Sequence, residues 1–414
     1  MNKERQIAKS IKENIGNPNN RIIVLTGARQ VGKTTIVNDY FQDFEYLAAD
    51  NPLESAALKQ MGTEQWYLQY PKAALDEVQK EPELINYVKA VYDRHKDTQY
   101  ILLGSSQLLL LSKVNETLAG RCSVYEIFPM TLPEIESGKT ALHKSIWQQL
   151  LEGKNPTVAP NMLMDKGYAY KKQAYDYYLK FGGYPALVNE QLSDEDRFQW
   201  LENYSRTYLE RDLRDMADIR SLTPFIKLQT ATALNTGQTL VVSNLANDLN
   251  ISAKTINRYL EYLNISYQTV TLNAWDKNKQ KRLMKAPKVH FLDHGVLQAV
   301  LRRRGGMSGN EYESCIVAEI YKQGKAVDIP TSFYHLRTND GREVDLLVET
   351  PQGYYAFEIK MTDHISATHI RHLKQLEQIV KDKPIVRKFV ISNDLETKSF
   401  EDGITAIHAA HFLG

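Results

Sequence analysis

Apolar positions follow three different rhythms along this 414-residue chain. Between residues 20 and 135, short apolar runs alternate with stretches of helical period, the pattern of a parallel sheet flanked by helices. The runs predict strands over 22–26, 45–48, 73–76, 100–103 and 124–128, after which Pro129 and Pro133 close the block. From 140 to 220 the period turns helical and aromatic, broken by Phe181-Gly182-Gly183-Tyr184-Pro185, which ends one helix and aims the next. Over 200–218 the charges recur at i,i+3 and i,i+4 spacing, with Leu201, Tyr204, Tyr208 and Leu209 on one stripe. That pattern reads as the solvated face of a lid helix.

Further on, helices are predicted over 242–249, with Ser243 as its N-cap, and over 253–263, joined by the turn Asn250-Ile251-Ser252. Two short helices on a tight turn read as helix-turn-helix. Strand-like runs at 270–273 and 289–292 flank a basic hairpin at 277–282, with Lys285 and Lys288 close by, which completes a winged helix. The last block opens with a helix over 310–322 and continues as strands over 342–349 and 354–360. No internal repeat or low-complexity stretch interrupts this order. The expected class is α/β, in four domains: a parallel-sheet core at 1–138, a helical lid at 139–220, a winged helix at 221–292 and a C-terminal α/β domain at 293–414.

Composition narrows the class without changing it. Hydrophobic content of 43% and charged content of 24% belong to an ordinary soluble protein, and the length suffices for several cores. The net charge of +1 means that any nucleic-acid surface is a local patch. Residues 1–6 lack the apolar stretch of a secretory leader, and the apolar run 108–111 is too short to span a bilayer. Two cysteines, Cys122 and Cys315, make neither a disulfide framework nor a thiolate zinc site. A cytoplasmic location without membrane contact is expected.

Chemistry enters at Gly27-Ala28-Arg29-Gln30-Val31-Gly32-Lys33-Thr34-Thr35, between the first predicted strand and a helix. This is a G-x-x-x-x-G-K-T phosphate loop in its proper context. Its glycines let successive N–H groups face phosphate oxygens, and the following helix adds its positive end. Lys33 suits the β- and γ-phosphates of ATP, and the Thr34 hydroxyl suits Mg²⁺. The third strand ends in Asp76-Glu77: Asp76 is the expected second metal group, and Glu77 the base that separates splitting ATP from merely binding it. Ser105 or Ser106, after the fourth strand, falls where a parallel sheet presents ligand-facing residues and is the candidate γ-phosphate sensor. Arg121 is either a surface arginine or a finger for transition-state charge, in cis or from a neighbouring subunit.

Two further constellations stand apart from the loop. Lys254 and Arg258, on the second helix of the helix-turn-helix, and Lys279, Lys281 and Arg282, in the basic hairpin, form a candidate surface for duplex DNA. A winged helix also serves as a protein wedge. In the last block, Glu313 lies on the apolar side of its helix, where a carboxylate is costly without a partner. If Thr350 pairs with Gly353, Asp345 falls opposite Glu358, and Lys360 points the same way as Glu358. Carboxylates so grouped bind Mg²⁺, and the lysine can steady a water that attacks a phosphodiester. A salt-bridged hairpin accounts for the same spacing.

Taken in order, these stretches resemble the bacterial and archaeal AAA-type ATPases that carry a C-terminal domain of unknown function (DUF4143) with a restriction-endonuclease-like core. The resemblance rests on GARQVGKTT (27–35), LDEVQ (75–79), LLGSSQLLL (102–110), LAGRCSVYEIFPMTLPEI (118–135) and FGGYPALV (181–188). It continues through LERDL (209–213), the winged helix, KVHFLDHGVL (288–297), REVDLLV (342–348) and FEIK (357–360). It implies an AAA-type sheet with Lys33, Thr34, Asp76 and Glu77 as the ATP and Mg²⁺ residues, Ser105 or Ser106 as sensor and Arg121 as finger. It also matches Glu313, Asp345, Glu358 and Lys360 to the PD-(D/E)xK nuclease pattern, although Val344 stands where that pattern has proline. The implied function is a Mg²⁺-dependent ATPase acting on DNA through the winged helix and the nuclease-like domain, with assembly into homo-oligomers compatible. The alternative is an ATP-switched regulator that holds DNA or a protein partner and cuts nothing.

Overall fold

The computed structural model describes residues 3–18, 20–104, 107–216, 222–338 and 340–414, without the side chains of 107–110, 112, 115 and 208–216. All five strands expected in the first block form. They are β1 (Ile22–Gly27), β2 (Glu45–Ala48), β3 (Lys72–Asp76), β4 (Gln99–Leu103) and β5 (Cys122–Ile127). They pair wholly in parallel in the order β2-β3-β4-β1-β5. The cores of β1, β3 and β4 are apolar without alternation because both their faces are covered, as in other parallel sheets. Leu25 lies level with Leu103, and Leu75 with Leu102, so β1, β4 and β3 end along one rim.

Helices Ile146–Leu151, Tyr168–Phe181 and Asp194–Met216 make up the lid. Leu201 and Tyr204, on the stripe read as part of a solvated face, are buried. Three helices follow, Thr223–Leu234, Val242–Leu249 and Ala253–Ile265. Ser243 lies inside the first turn of its helix and does not cap it, whereas Ser252 caps the next by accepting from the Thr255 N–H. Residues expected as a basic hairpin at 277–282 instead contribute to the short helix Lys279–Met284, capped by Asn278. Lys-Gln-Lys-Arg-Leu-Met contains only good helix formers and no turn residue, which favours this outcome.

A second sheet crosses the expected boundary at residue 292. Its strands are β6 (Gln238–Thr239), β7 (Thr269–Ala274), β8 (Lys288–Phe291), β9 (Ser332–Arg337), β10 (Glu343–Thr350), β11 (Gly353–Ile359), β12 (Ile385–Ser392), β13 (Lys398–Phe400) and β14 (Ile404–His408). The order is β13-β14-β12-β11-β10-β9-β7-β8-β6. The junction is the parallel pairing of β7 with β9, where Asn273 and Ala274 face Tyr334 and His335. Thr350 does pair with Gly353, so the β10–β11 hairpin takes the unshifted register.

One apolar core runs from the first sheet through the lid to the second sheet, including Leu25, Ile127, Trp147, Leu201, Ile316 and Phe357. A separate cluster with Val24, Val88 and Leu102 fills the other side of the first sheet. The segment after β5 ties the parts together with polar bonds. The Met130 N–H donates to Gly183 O at 2.6 Å and the Leu132 N–H to Glu319 Oε1 at 2.7 Å, while Met130 O accepts from Lys322 Nζ at 3.2 Å. Glu319 and Lys322 form a fully buried ion pair at 3.0 Å on helix Gly309–Lys325. Among the described residues no helix is long and apolar enough to cross a membrane.

Candidate nucleotide site and carboxylate cluster

The phosphate loop takes its shape from three residues with positive φ: Gly27 at 149°, Gln30 at 61° and Gly32 at 90°. A Cβ on Gly27 would lie 2.2 Å from Ile127 O, so only glycine fits beside β5. Gly32 precedes helix Lys33–Tyr40 and offers no side-chain cap, which leaves the helix's first N–H groups for an anion. Lys33 Nζ donates to the loop's own carbonyls, Gly27 O at 2.9 Å and Ala28 O at 2.8 Å. Thr34 Oγ1 donates to Asp76 Oδ2 at 2.7 Å, which joins the expected metal pair across the rim. Glu77 is half-buried beside Asp76, with φ of 53°, and accepts from Gln79 Nε2. A hydroxyl and a carboxylate are hard oxygen donors of the kind Mg²⁺ takes, so this pair fits that ion.

Side chains from distant segments complete the site. The Tyr46 hydroxyl donates to Asp76 Oδ2 at 2.6 Å; burial, and then that carboxylate, raise its pKa. Arg5 is buried and donates to Val31 O at 2.6 Å and Phe128 O at 2.8 Å, while Glu134 pairs with it at 3.2 Å. Arg5 therefore fixes the loop to the end of β5. From the lid, the Tyr204 hydroxyl reaches Arg29 O at 3.5 Å and accepts from the Tyr184 hydroxyl at 2.8 Å. Gly183, in the turn before the lid helix, donates to Asp293 Oδ2 at 2.7 Å. A cavity of about 770 Å³ opens beside the loop between Lys3, Arg5, Gly32, Thr35, Tyr40 and Pro185.

Two further expectations stand differently, one outside the described residues and one away from the loop. Ser105 and Ser106 lie outside the described residues. Arg121 begins the approach to β5, level with the start of β1 and at the opposite end of the sheet from the loop. Six strand residues separate those ends, roughly 20 Å, and Arg121 pairs with Asp93 at 3.0 Å. A cis finger is thereby excluded.

In the C-terminal domain, Glu313, Asp345, Glu358 and Lys360 do converge, but around a residue the sequence had assigned to the wing. Lys288 is buried, and its Nζ lies 3.0 Å from Glu313 Oε1, 2.8 Å from Glu343 Oε1 and 3.9 Å from Asp345 Oδ1. The other oxygen of Asp345 accepts from the Ile359 N–H at 2.7 Å and lies 3.4 Å from Lys360 Nζ. Lys360 also pairs with Glu358 Oε1 at 2.8 Å. Burial, and then the like charge of Asp345, push Glu313 and Glu358 up to about 8. Desolvation works against the Lys288 ammonium, yet the carboxylates around it outweigh that cost and raise its pKa. Among the described residues no three His, Cys, Asp or Glu groups are arranged to share a metal ion. The three carboxylates expected to share Mg²⁺ are paired with lysines instead: Glu313 and Asp345 with Lys288, Asp345 and Glu358 with Lys360.

The basic surface also divides. Lys254, Arg258, Lys279 and Lys281 are exposed. Arg282 is not: its guanidinium lies over the rings of Trp275 and Tyr334, donates to Asp276 O at 2.7 Å and pairs with Glu349 and Asp382. With its charge engaged inside the fold, Arg282 is withdrawn from the expected DNA contacts.

The family model of an AAA domain matches residues 19–136, a domain of unknown function (DUF8612) matches 172–305, and a second (DUF4143) matches 308–412. Uncharacterised proteins of Mycobacterium bovis and Mycobacterium tuberculosis are each 24% identical over 411 residues, covering 95% of this chain and 81% of theirs. Among solved structures, the Walker-type ATPase of Pyrococcus abyssi is similar at a TM-score of 0.45 and 14% identity, over 72% of this chain and 95% of that one. Domain III of the replication initiation protein DnaA from Thermotoga maritima is similar at 0.26 and 11%, over 48% and 90%.

Proposed function

We propose that this AAA-type P-loop ATPase with a C-terminal DUF4143 domain depends on Mg²⁺ and works as a nucleotide-driven switch on duplex DNA, which it holds through a winged helix. In this reading the nucleoside occupies the cavity beside Gly32 and Tyr40, and the phosphates lie along the loop. Lys33 exchanges the carbonyls of Gly27 and Ala28 for β- and γ-phosphate oxygens. Thr34 and Asp76 would hold Mg²⁺, which when bound would supply charge neutralisation for the phosphates. Glu77 takes the proton of the attacking water, Ser105 or Ser106 senses the γ-phosphate, and Arg121 acts only from a neighbouring subunit of a homo-oligomer.

The observation that carries the coupling is one hydrogen bond. Thr26 Oγ1, one residue before Gly27, lies 2.7 Å from the Tyr267 hydroxyl. Tyr267 ends the turn after helix Ala253–Ile265, whose exposed Lys254 and Arg258 supply the groove-facing charge. Strain in the loop on ATP binding therefore reaches the DNA-facing helix through one contact, and Lys279 and Lys281 add phosphate contacts beside it. Anisotropy of a labelled duplex at low salt tests the reading. Lys254→Glu with Arg258→Glu is expected to weaken binding by about tenfold or more and flatten its salt dependence; an unchanged affinity would contradict it. One observation favours a protein partner instead. Leu283 and Met284 are 79% and 85% exposed side by side on helix Lys279–Met284, a pair better suited to an apolar surface than to phosphates.

A further inference from the structure

We infer that Lys288 is the resident cation of the C-terminal carboxylate cluster and excludes a divalent metal from it, so that the domain carries no metal-dependent nuclease step. The Lys288 ammonium lies within hydrogen-bond reach of Glu313 at 3.0 Å and Glu343 at 2.8 Å, with Asp345 at 3.9 Å. Mg²⁺ would need oxygens at about 2.0–2.1 Å on nearly the same point, which the Lys288 Nζ holds. Of the other oxygens, two are committed to protein partners, and Glu358 Oε2 is buried without a hydrogen-bond partner. Asp345 Oδ2 is committed to the Ile359 N–H, and Glu358 Oε1 to Lys360. Lys360, expected to steady a water, instead bridges Asp345 and Glu358.

The lysine is also fixed in place by its backbone. Lys288 opens β8 and pairs with Leu272 of β7 on one side and Thr239 of β6 on the other. Its backbone thus belongs to the strands of the helix-turn-helix segment, while its ammonium pairs with Glu313 and Glu343 of the C-terminal domain. Lys288 therefore performs two tasks with one charge: it neutralises the cluster and it joins two parts of the chain. This inference does not depend on the reading of the ATP site.

Mn²⁺ binding to the full-length protein, followed by electron paramagnetic resonance without nucleotide, tests it. Wild type and Asp345→Asn are expected to bind the same number of ions, because any Mn²⁺ at Thr34 and Asp76 is common to both. One ion fewer in Asp345→Asn would overturn the inference. Lys288→Met keeps the length of the side chain and removes its charge; it should gain one ion, and lose it again when combined with Asp345→Asn. A folded Lys288→Met that gains none would show that Lys288 is not what keeps the metal out. The first comparison decides the matter even if Lys288→Met fails to fold.

Discussion

Asp76 receives two hydroxyls on one carboxylate oxygen, Thr34 at 2.7 Å and Tyr46 at 2.6 Å. Only the first was legible in the sequence. Thr34 belongs to a contiguous loop whose spacing is dictated by phosphate geometry, and Asp76 ends an apolar run. Tyr46, Arg5 and Lys288 reach their sites from other segments through the fold, and nothing in their local spacing announces it. Lys288 was misassigned for that reason: a lysine near a basic cluster reads as surface until pairing turns it inward. Because Lys33 is the loop residue assigned to the β- and γ-phosphates, Lys33→Ala should reduce phosphate release to background; persistent turnover would remove the assignment. The cluster around Lys288 has a pH signature. Glu313 titrates near 8 in the folded chain, above its ordinary 4.5, so it binds its proton more tightly folded than unfolded. That contribution is complete below pH 4.5 and is lost as pH rises through 8. The thermal midpoint should therefore decline between pH 4.5 and 8, and less steeply in Glu313→Gln. An identical slope in the two proteins would count against the raised value.

At the scale of elements, the five strands of the first sheet were readable because burial on both faces leaves continuous apolar runs. The hairpin that was expected at 277–282 failed because charge was allowed to stand for exposure. Helix propensity governs that stretch, and the aromatic faces of Trp275 and Tyr334 draw Arg282 inward. Arg282 is thus a structural residue beside two solvent-facing lysines. Arg282→Ala is expected to lower stability by about 2 kcal/mol with little change in DNA affinity, whereas Lys279→Glu with Lys281→Glu should weaken DNA binding and leave the melting temperature nearly unchanged. Parallel melting and anisotropy measurements separate the two; the reverse pattern would restore Arg282 to the surface role. The glycine-rich turn explains itself similarly. A Cβ on Gly183 would meet Met130 O at 2.2 Å, so the break in the helical rhythm marks a close backbone approach as much as a bend.

Across the whole molecule, the four blocks read from the sequence are joined more tightly than their separate rhythms suggest. Two residues of β7 pairing with β9 make one sheet of what looked like two domains, and so short a contact leaves no pattern to read. The segment after β5 binds Arg5, Gly183, Glu319 and Lys322, linking loop, lid and C-terminal helix. In the proposed function a change at the phosphate loop passes through these packed and hydrogen-bonded parts, with the Thr26–Tyr267 hydrogen bond as one crossing. The most direct test is phosphate release from Mg-ATP with and without duplex DNA at low salt. Stimulation of several-fold by DNA, lost in Lys254→Glu with Arg258→Glu, is the predicted result. A rate indifferent to DNA would contradict the coupling and point to a protein partner at the exposed Leu283 and Met284.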